Sequence, residues 1–159
     1  MGKYANTTEV GADRSRNEIE RTLQRYGARQ FMYGWDENRA VLGFVVGNRQ
    51  VRFVLPLPDR EDPEFSRTPT GRVRSATATA DAYEQAVRQR WRALALVIHA
   101  KLEAVDTRIV DFDSEFLAHL VLPSGETVGD AVGPGLAEAY RTGKTPALLP
   151  SYDVAAITQ

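Results

Sequence analysis

The sequence predicts an α+β fold, with a three-stranded antiparallel meander packed against a long helix. A flanking N-terminal helix, a short C-terminal hairpin and a C-terminal helix complete it. Two patterns carry this prediction. Residues 31–55 alternate apolar and polar positions around two turn signals, and residues 81–105 repeat apolar positions at helical spacing. The length of 159 residues and the composition, 43% hydrophobic and 26% charged, fit one globular domain.

The chain divides into a flexible N-terminal arm, residues 1–12, and a single α+β domain, residues 13–159. The arm is assigned because its residues are small and polar without a period. Within the domain, residues 59–76 mix charged residues, Pro, Thr and Gly without apolar periodicity. They predict a long loop, and loops of more than about 12–15 residues are usually functional or disordered.

The first helix is predicted to begin at Ser15, because Ser15 and Glu18 have the spacing of a capping box. Gly27 supplies the residue that ends it. The apolar stripe of this helix consists of Ile19, Leu23 and Tyr26.

The meander can be registered by requiring one continuous apolar face. A turn at Gly47-Asn48 pairs Phe44 with Val51, Leu42 with Phe53, and Ala40 with Leu55. A turn at Glu37-Asn38 pairs Trp35 with Ala40, Tyr33 with Leu42, and Phe31 with Phe44. All these pairs share one face, so we assign their aromatic rings to the core.

The long helix is predicted over 81–105, capped by Asp81 with Glu84 three residues later. Its broad apolar face comprises Tyr83, Val87, Trp91, Leu94, Val97, Ile98, Leu102 and Val105. Leu96 interrupts the otherwise polar opposite face. A helix this apolar predicts burial on more than one side, and we expect a homo-oligomer.

The C-terminal part predicts a short hairpin and a final helix. The strand 120–122 is followed by a turn signal at Pro123-Ser124-Gly125 and a return strand 126–128. Pro134 at the first helical position and Gly143 beyond the last one define the final helix.

Charge and composition exclude several classes of protein. The net charge is -1, but residues 1–100 hold 16 basic and 12 acidic residues, whereas residues 101–159 hold 4 and 9. The absence of cysteine excludes disulfides and thiolate metal sites and suits a reducing cytoplasm. Neither a secretory leader nor a run of 18 apolar residues occurs in the sequence. We therefore expect a cytoplasmic protein without membrane contact.

No motif indicates catalysis. His99 and His119 lack a second ligand at metal-binding spacing, apart from Glu115 before His119. Gly125, Gly129, Gly133 and Gly135 are not followed by a lysine at phosphate-loop spacing, and no G-x-S-x-G element occurs. We expect a non-enzymatic protein with no catalytic residue, no metal and no cofactor.

Arginine placement favours binding of nucleic acid. Arg is suited to bidentate contact with phosphate, and most of the arginines precede residue 101. We predict that one anion-binding surface is formed by Arg52, Arg72, Arg74, Arg88 and Arg92.

Four stretches, 1–5, 19–28, 51–59 and 83–96, resemble an uncharacterised family of small bacteriophage and prophage proteins. That resemblance implies no activity. The order of a three-stranded meander followed by a long helix also resembles the core of single-strand annealing proteins, which form rings on DNA. Together these features predict a phage-type accessory protein of DNA metabolism that binds single-stranded nucleic acid. The alternative is a protein-binding module, of counter-defence type, that inhibits or recruits a host or phage protein without touching nucleic acid.

Overall fold

A computed structural model describes the backbone of residues 3–149 and the side chains of residues 12–149. The helices are α1 (Lys3–Arg25), α2 (Pro63–Ser66), α3 (Ala76–Asp106), α4 (Phe112–Phe116) and α5 (Val128–Thr142). The strands are β1 (Ala28–Trp35), β2 (Arg39–Val46) and β3 (Arg49–Pro56), and a 3-10 turn (Leu117–His119) follows α4.

The three strands form one antiparallel sheet in the order β1-β2-β3, and helices α1 and α3 cover one of its faces. Ile19 and Leu23 of α1 lie in a single core with Ile98 and Leu102 of α3 and with Leu42 of the sheet. Burying these side chains is the main favourable term in folding. The predicted α+β architecture is confirmed.

The register of β2 and β3 is the one predicted. Phe44 lies opposite Val51 and Leu42 lies opposite Phe53, around a turn in which Gly47 has a φ of 59°. That left-handed conformation favours glycine and closes the hairpin. The period of two then points every second side chain of both strands into the core.

The register of β1 is only partly the one predicted. Tyr33 lies opposite Leu42 as expected, but the pairing shifts between Arg29 and Met32. Gln30 and Phe31 together oppose Phe44, so the predicted regular pair of Phe31 with Phe44 does not form. Gln30 adopts a φ of 56°, and the chain accommodates one extra residue there as a β-bulge.

The aromatic residues assigned to the core differ in burial. Phe44 and Phe53 are buried, and Phe31 and Tyr33 are partly buried. Trp35, in contrast, is 63% exposed. It is the last residue of β1 and lies beside an open pocket, so its assignment to the core is wrong.

Two helices begin earlier than predicted. Helix α1 starts at Lys3 and thus includes most of the segment 1–12 assigned to an arm, while Ser15 lies in its interior. Helix α3 starts at Ala76, where the hydroxyl oxygen of Ser75 accepts a hydrogen bond from the backbone N–H of Ala78. The predicted capping boxes at Ser15 and Asp81 are therefore interior helical positions.

The last helix also begins early. Thr127 caps α5 by accepting a hydrogen bond from the Asp130 backbone N–H, so Pro134 lies within the helix and not at its start. Gly143 ends α5 in the left-handed conformation, as predicted. The predicted hairpin is reduced to a single bridge between Val121 and Thr127.

The connection from β3 to α3 is anchored at several points. It contains the one-turn helix α2, and the buried ring of Phe65 meets Tyr83 of α3 edge-on, with 5.6 Å between ring centroids. A bridge between Arg67 and Val73 closes the tip of the loop.

None of the helices within residues 3–149 is long and apolar enough to cross a membrane.

Candidate functional site

The five arginines predicted to bind anions occupy three settings. Arg52 pairs with Gly43 in the register and lies on the face of β3 opposite the core. Its Nη2 donates a hydrogen bond to the carbonyl oxygen of Gly125 at 2.7 Å. This guanidinium therefore ties the sheet to the C-terminal hairpin.

Arg72 and Arg74 belong to the loop before α3. Nη1 of Arg74 donates to the carbonyl oxygens of Glu64 and Phe65, at 2.8 and 3.2 Å, so it satisfies carbonyl groups of α2. The side chain of Arg72 is exposed, and its backbone N–H donates to the Thr68 hydroxyl oxygen.

Arg88 and Arg92 lie one turn apart on α3. Nη1 of Arg88 is 3.9 Å from the Glu84 carboxylate, and its side chain keeps 38% exposure. Arg92 is exposed, and within the described part of the chain no residue forms a hydrogen bond or ion pair with its guanidinium. Both side chains are thus available on the surface of the long helix.

A groove runs between α1 and α3 and encloses about 770 Å³. We call it the α1/α3 groove. Its α3 wall consists of Ala95, Leu96 and His99. Because residues three, four and seven positions apart share a helix face, Arg92 lies on the same strip of α3 as these three.

The α1 wall of this groove carries Arg14, Arg21 and Arg25. These three arginines are not among the residues predicted from the sequence to bind anions. Arg21 follows Arg14 by seven residues and Arg25 follows it by eleven, and on an α-helix this spacing aligns the three in one row. The signal was present in the sequence, but α1 was predicted to begin at Ser15, which left Arg14 outside the helix.

The charges in the α1/α3 groove favour an anion. Two carboxylates, Asp13 and Glu18, accompany the three α1 arginines. Asp13 forms an ion pair with Arg16 and is thereby compensated within α1. The three α1 arginines therefore outnumber the one remaining carboxylate, that of Glu18.

Hydrogen bonds tie α1 and the residue after it to both α3 and strand β1. The Tyr26 hydroxyl donates to Oε2 of Glu103 at 3.1 Å, and burial together with this carboxylate raises the pKa of Tyr26. The Tyr33 hydroxyl donates to the Arg16 carbonyl oxygen at 3.1 Å. Burial raises the pKa of Tyr33 to about 12, so this donor keeps its proton at neutral pH.

The two histidines have different surroundings. His99 is exposed at the groove, whereas the ring of His119 stacks on Phe53 with centroids 4.0 Å apart. Burial and the nearby Lys101 lower the pKa of His119. Among the residues with described positions, no group of three His, Asp or Glu side chains could hold a metal ion.

No family model, curated protein or solved structure matches this chain. The resemblance to small phage proteins and the likeness to single-strand annealing proteins stay predictions. The proposed function is therefore based on the geometry of the grooves and surfaces described above.

Proposed function

We propose that the protein is a non-catalytic accessory protein of phage-type DNA metabolism that binds single-stranded nucleic acid along the α1/α3 groove. The observation that supports this proposal is the row of three α1 arginines facing the strip of α3 that carries Arg92. Guanidinium groups are strong partners for phosphate because they donate two parallel hydrogen bonds. The proposed place of action is the cytoplasm of a bacterial host cell.

The groove also offers surface for unpaired bases. Leu96 is 63% exposed beside the imidazole of His99. Bases that have left a duplex can stack on a flat ring and pack against an aliphatic side chain, while their phosphates reach the flanking arginines. A single strand therefore fits this groove better than a duplex, whose bases are already stacked.

Salt dependence of binding is the decisive test. Four guanidinium groups, those of Arg14, Arg21 and Arg25 in the groove and of Arg92 beside it, would give a log–log salt slope of about -2.8 on a single strand. Replacing Arg21 and Arg25 by alanine is expected to flatten the slope by about 1.4. Both side chains are exposed, so the free energy of unfolding should change little. Fluorescence anisotropy of a labelled oligonucleotide, measured at several salt concentrations, gives the slope.

The matched control removes two positive charges that do not line the groove. Arg141 and Lys144 are exposed at the end of α5, and replacing both by alanine should leave the slope at its parental value. Equal slopes for parent, groove variant and control variant would contradict the proposal, as would a parent that does not bind the oligonucleotide.

A protein-binding module remains the second candidate, and helix α5 favours it. None of the α5 side chains, all of which lie in the described part of the chain, is buried. Leu136 and Tyr140 are one turn apart and are 47% and 87% exposed. These two side chains form a short apolar strip on one face of the helix, the kind of face that packs in a groove of another protein. That protein would be a second copy in the homo-oligomer we propose, or a host or phage protein.

Light scattering tests self-association through α5. We expect the parent to gain mass with rising concentration and the double variant Leu136→Ser, Tyr140→Ser to stay monomeric. A parent that remains monomeric at high micromolar concentration would remove the homo-oligomer. Oligonucleotide binding by the double variant, measured in the same preparation, separates this role from that of the α1/α3 groove.

A further inference from the structure

A second cavity lies on the other side of the α1–α3 contact and encloses about 710 Å³. We call it the aromatic pocket. It is bounded by the first turns of α3, the end of the β1–β2 hairpin, the loop after β3, and α1. Its aromatic walls are Trp35, Tyr83 and Trp91.

The walls of the aromatic pocket already accommodate guanidinium groups. Cζ of Arg16 lies 5.3 and 5.7 Å from the ring centroids of Trp35 and Trp91, and Cζ of Arg60 lies 4.4 Å from that of Tyr83. Aromatic faces attract cations of this kind. The surfaces that line the cavity are thus chemically suited to a flat cation.

Glu84 contributes a largely buried side chain to this pocket. Its side chain is 8% exposed, and its nearest cation is Nη1 of Arg88 at 3.9 Å, beyond hydrogen-bond distance. No hydrogen bond to the Glu84 carboxylate comes from any other residue within 12–149. Within residues 12–149 the one fully buried side-chain polar atom without a partner is Nε of Arg16, so the Glu84 oxygens still contact water. A guanidinium group that replaced this water would give the carboxylate two hydrogen bonds.

The charge around the cavity has the same sign as Glu84. Five carboxylates and two guanidinium groups line it. The four carboxylates other than Glu84 are exposed at the rim and belong to Asp36, Glu37, Asp59 and Glu61. An excess of negative charge attracts a cation and disfavours a ligand that carries phosphate.

We propose that the aromatic pocket binds a guanidinium group on a flexible chain, namely the arginine side chain of a partner polypeptide. A guanidinium group stacks on tryptophan and donates two parallel hydrogen bonds to one carboxylate. Trp35, which is 63% exposed, and Glu84 match these two needs, whereas Trp91 is buried and already covered by Arg16. An ammonium group is more strongly hydrated and lacks the flat face. The cavity is several times larger than one arginine side chain, so neighbouring residues of the partner also fit. This site is separate from the α1/α3 groove.

Intrinsic fluorescence reports on this pocket alone, because both tryptophans of the chain line it. The probes are acetyl-Gly-Arg-Gly-amide, its citrulline counterpart, in which a neutral urea replaces the guanidinium, and agmatine. We expect the arginine peptide to change the fluorescence saturably and the citrulline peptide to bind at least about tenfold more weakly. If agmatine binds as tightly as the peptide, the ligand of the pocket is a small guanidinium compound and not a polypeptide. If agmatine binds more weakly than the peptide, the ligand is a polypeptide.

Two variants assign the binding to this site, with calorimetry as the readout. Glu84→Gln keeps the shape of the side chain and should weaken binding of the arginine peptide at least about tenfold. Trp35→Ala truncates an exposed ring and should also weaken it without loss of fold. Glu64→Gln, the same substitution on α2 outside the pocket, is the control and should leave binding unchanged.

Three results would overturn the proposal. They are a parent that does not bind the arginine peptide at millimolar concentration, equal affinity for arginine and citrulline peptides, or unchanged affinity in both Glu84→Gln and Trp35→Ala. Oligonucleotide binding is measured on the same variants and should be unaffected, which separates this site from the groove.

Discussion

Helices α3 and α5 are held in place by different means. Helix α3 has 31 residues, eight of which are buried against the sheet and helices α1, α2 and α4. Helix α5 has 15 residues, and none of its side chains, which all belong to the described part of the chain, is buried. It touches the rest of the protein mainly through the 3-10 turn. Packing therefore fixes α3, whereas α5 depends on its ends.

The composition of α5 makes that dependence stronger. Gly129, Gly133, Pro134 and Gly135 are poor helix formers, and helices of this length are marginal in water by themselves. What stabilises α5 is local. Oγ1 of Thr127 donates to the Asp130 carboxylate at 2.7 Å, and the segment after α5 folds back so that Leu148 lies against Gly135. Such a helix gains most from a partner, whereas α3 already has its neighbours.

The largest effect is expected in the core beneath α3. Phe53→Ala removes a buried ring that meets Phe116 edge-on at 6.3 Å, and it should cost about 3–5 kcal/mol of unfolding free energy. Val54→Ala, on the opposite face of the same strand, should cost less than about 1 kcal/mol. Chemical denaturation measures both. Similar losses for the two variants would contradict the assignment of the buried face.

A smaller effect is expected where α5 meets the 3-10 turn. A Cβ added to Gly129 would lie 2.9 Å from the backbone oxygen of Ala118, which cannot move independently. Gly129→Ala should cost about 1–3 kcal/mol and speed amide exchange in α5. Gly34→Ala in β1, where a Cβ meets open space, is the matched control and should leave the melting temperature nearly unchanged. A stabilised Gly129→Ala would mean that α5 does not press on the turn.

The sequence predicts packing well and helix starts poorly, for a physical reason. Two strands with one buried face tolerate only one register, so Phe44 and Val51 could be paired in advance. A Ser or Asp three residues before Glu also occurs inside helices, as Ser15 does, because exposed polar residues are common there. The bulge at Gln30 depends on a backbone conformation that the side chains of this segment do not predict.

The same reason explains the candidate site. Arg88 and Arg92 were predicted because a strong apolar period located α3. The row formed by Arg14, Arg21 and Arg25 required the true start of α1, and residues 3–14 have no apolar period to reveal it. The pocket around Glu84 required the tertiary arrangement of four separate segments, which periodicity does not describe.

The smallest effect is a pH dependence at the junction of the two regions. His119 lies in the 3-10 turn, stacked on Phe53 of the core, and burial lowers its pKa. The unfolded chain takes up a proton near pH 6.5, whereas the folded protein does so only at lower pH. Stability contributed by neutral His119 is therefore complete above about pH 6.5 and is lost as the pH falls toward the lowered pKa.

We expect the melting temperature to be slightly lower at pH 5.5 than at pH 7.5, and His119→Gln to remove that difference. His99→Gln, on the exposed side of α3, should preserve it. The carboxyls of Asp36, Asp111 and Asp113 have lowered pKa values. The stability that they contribute is lost only below about pH 4, outside this range. A difference that survives in His119→Gln would place the titrating group elsewhere. It would also mean that the ring of His119 is more open to water than its stacking on Phe53 implies.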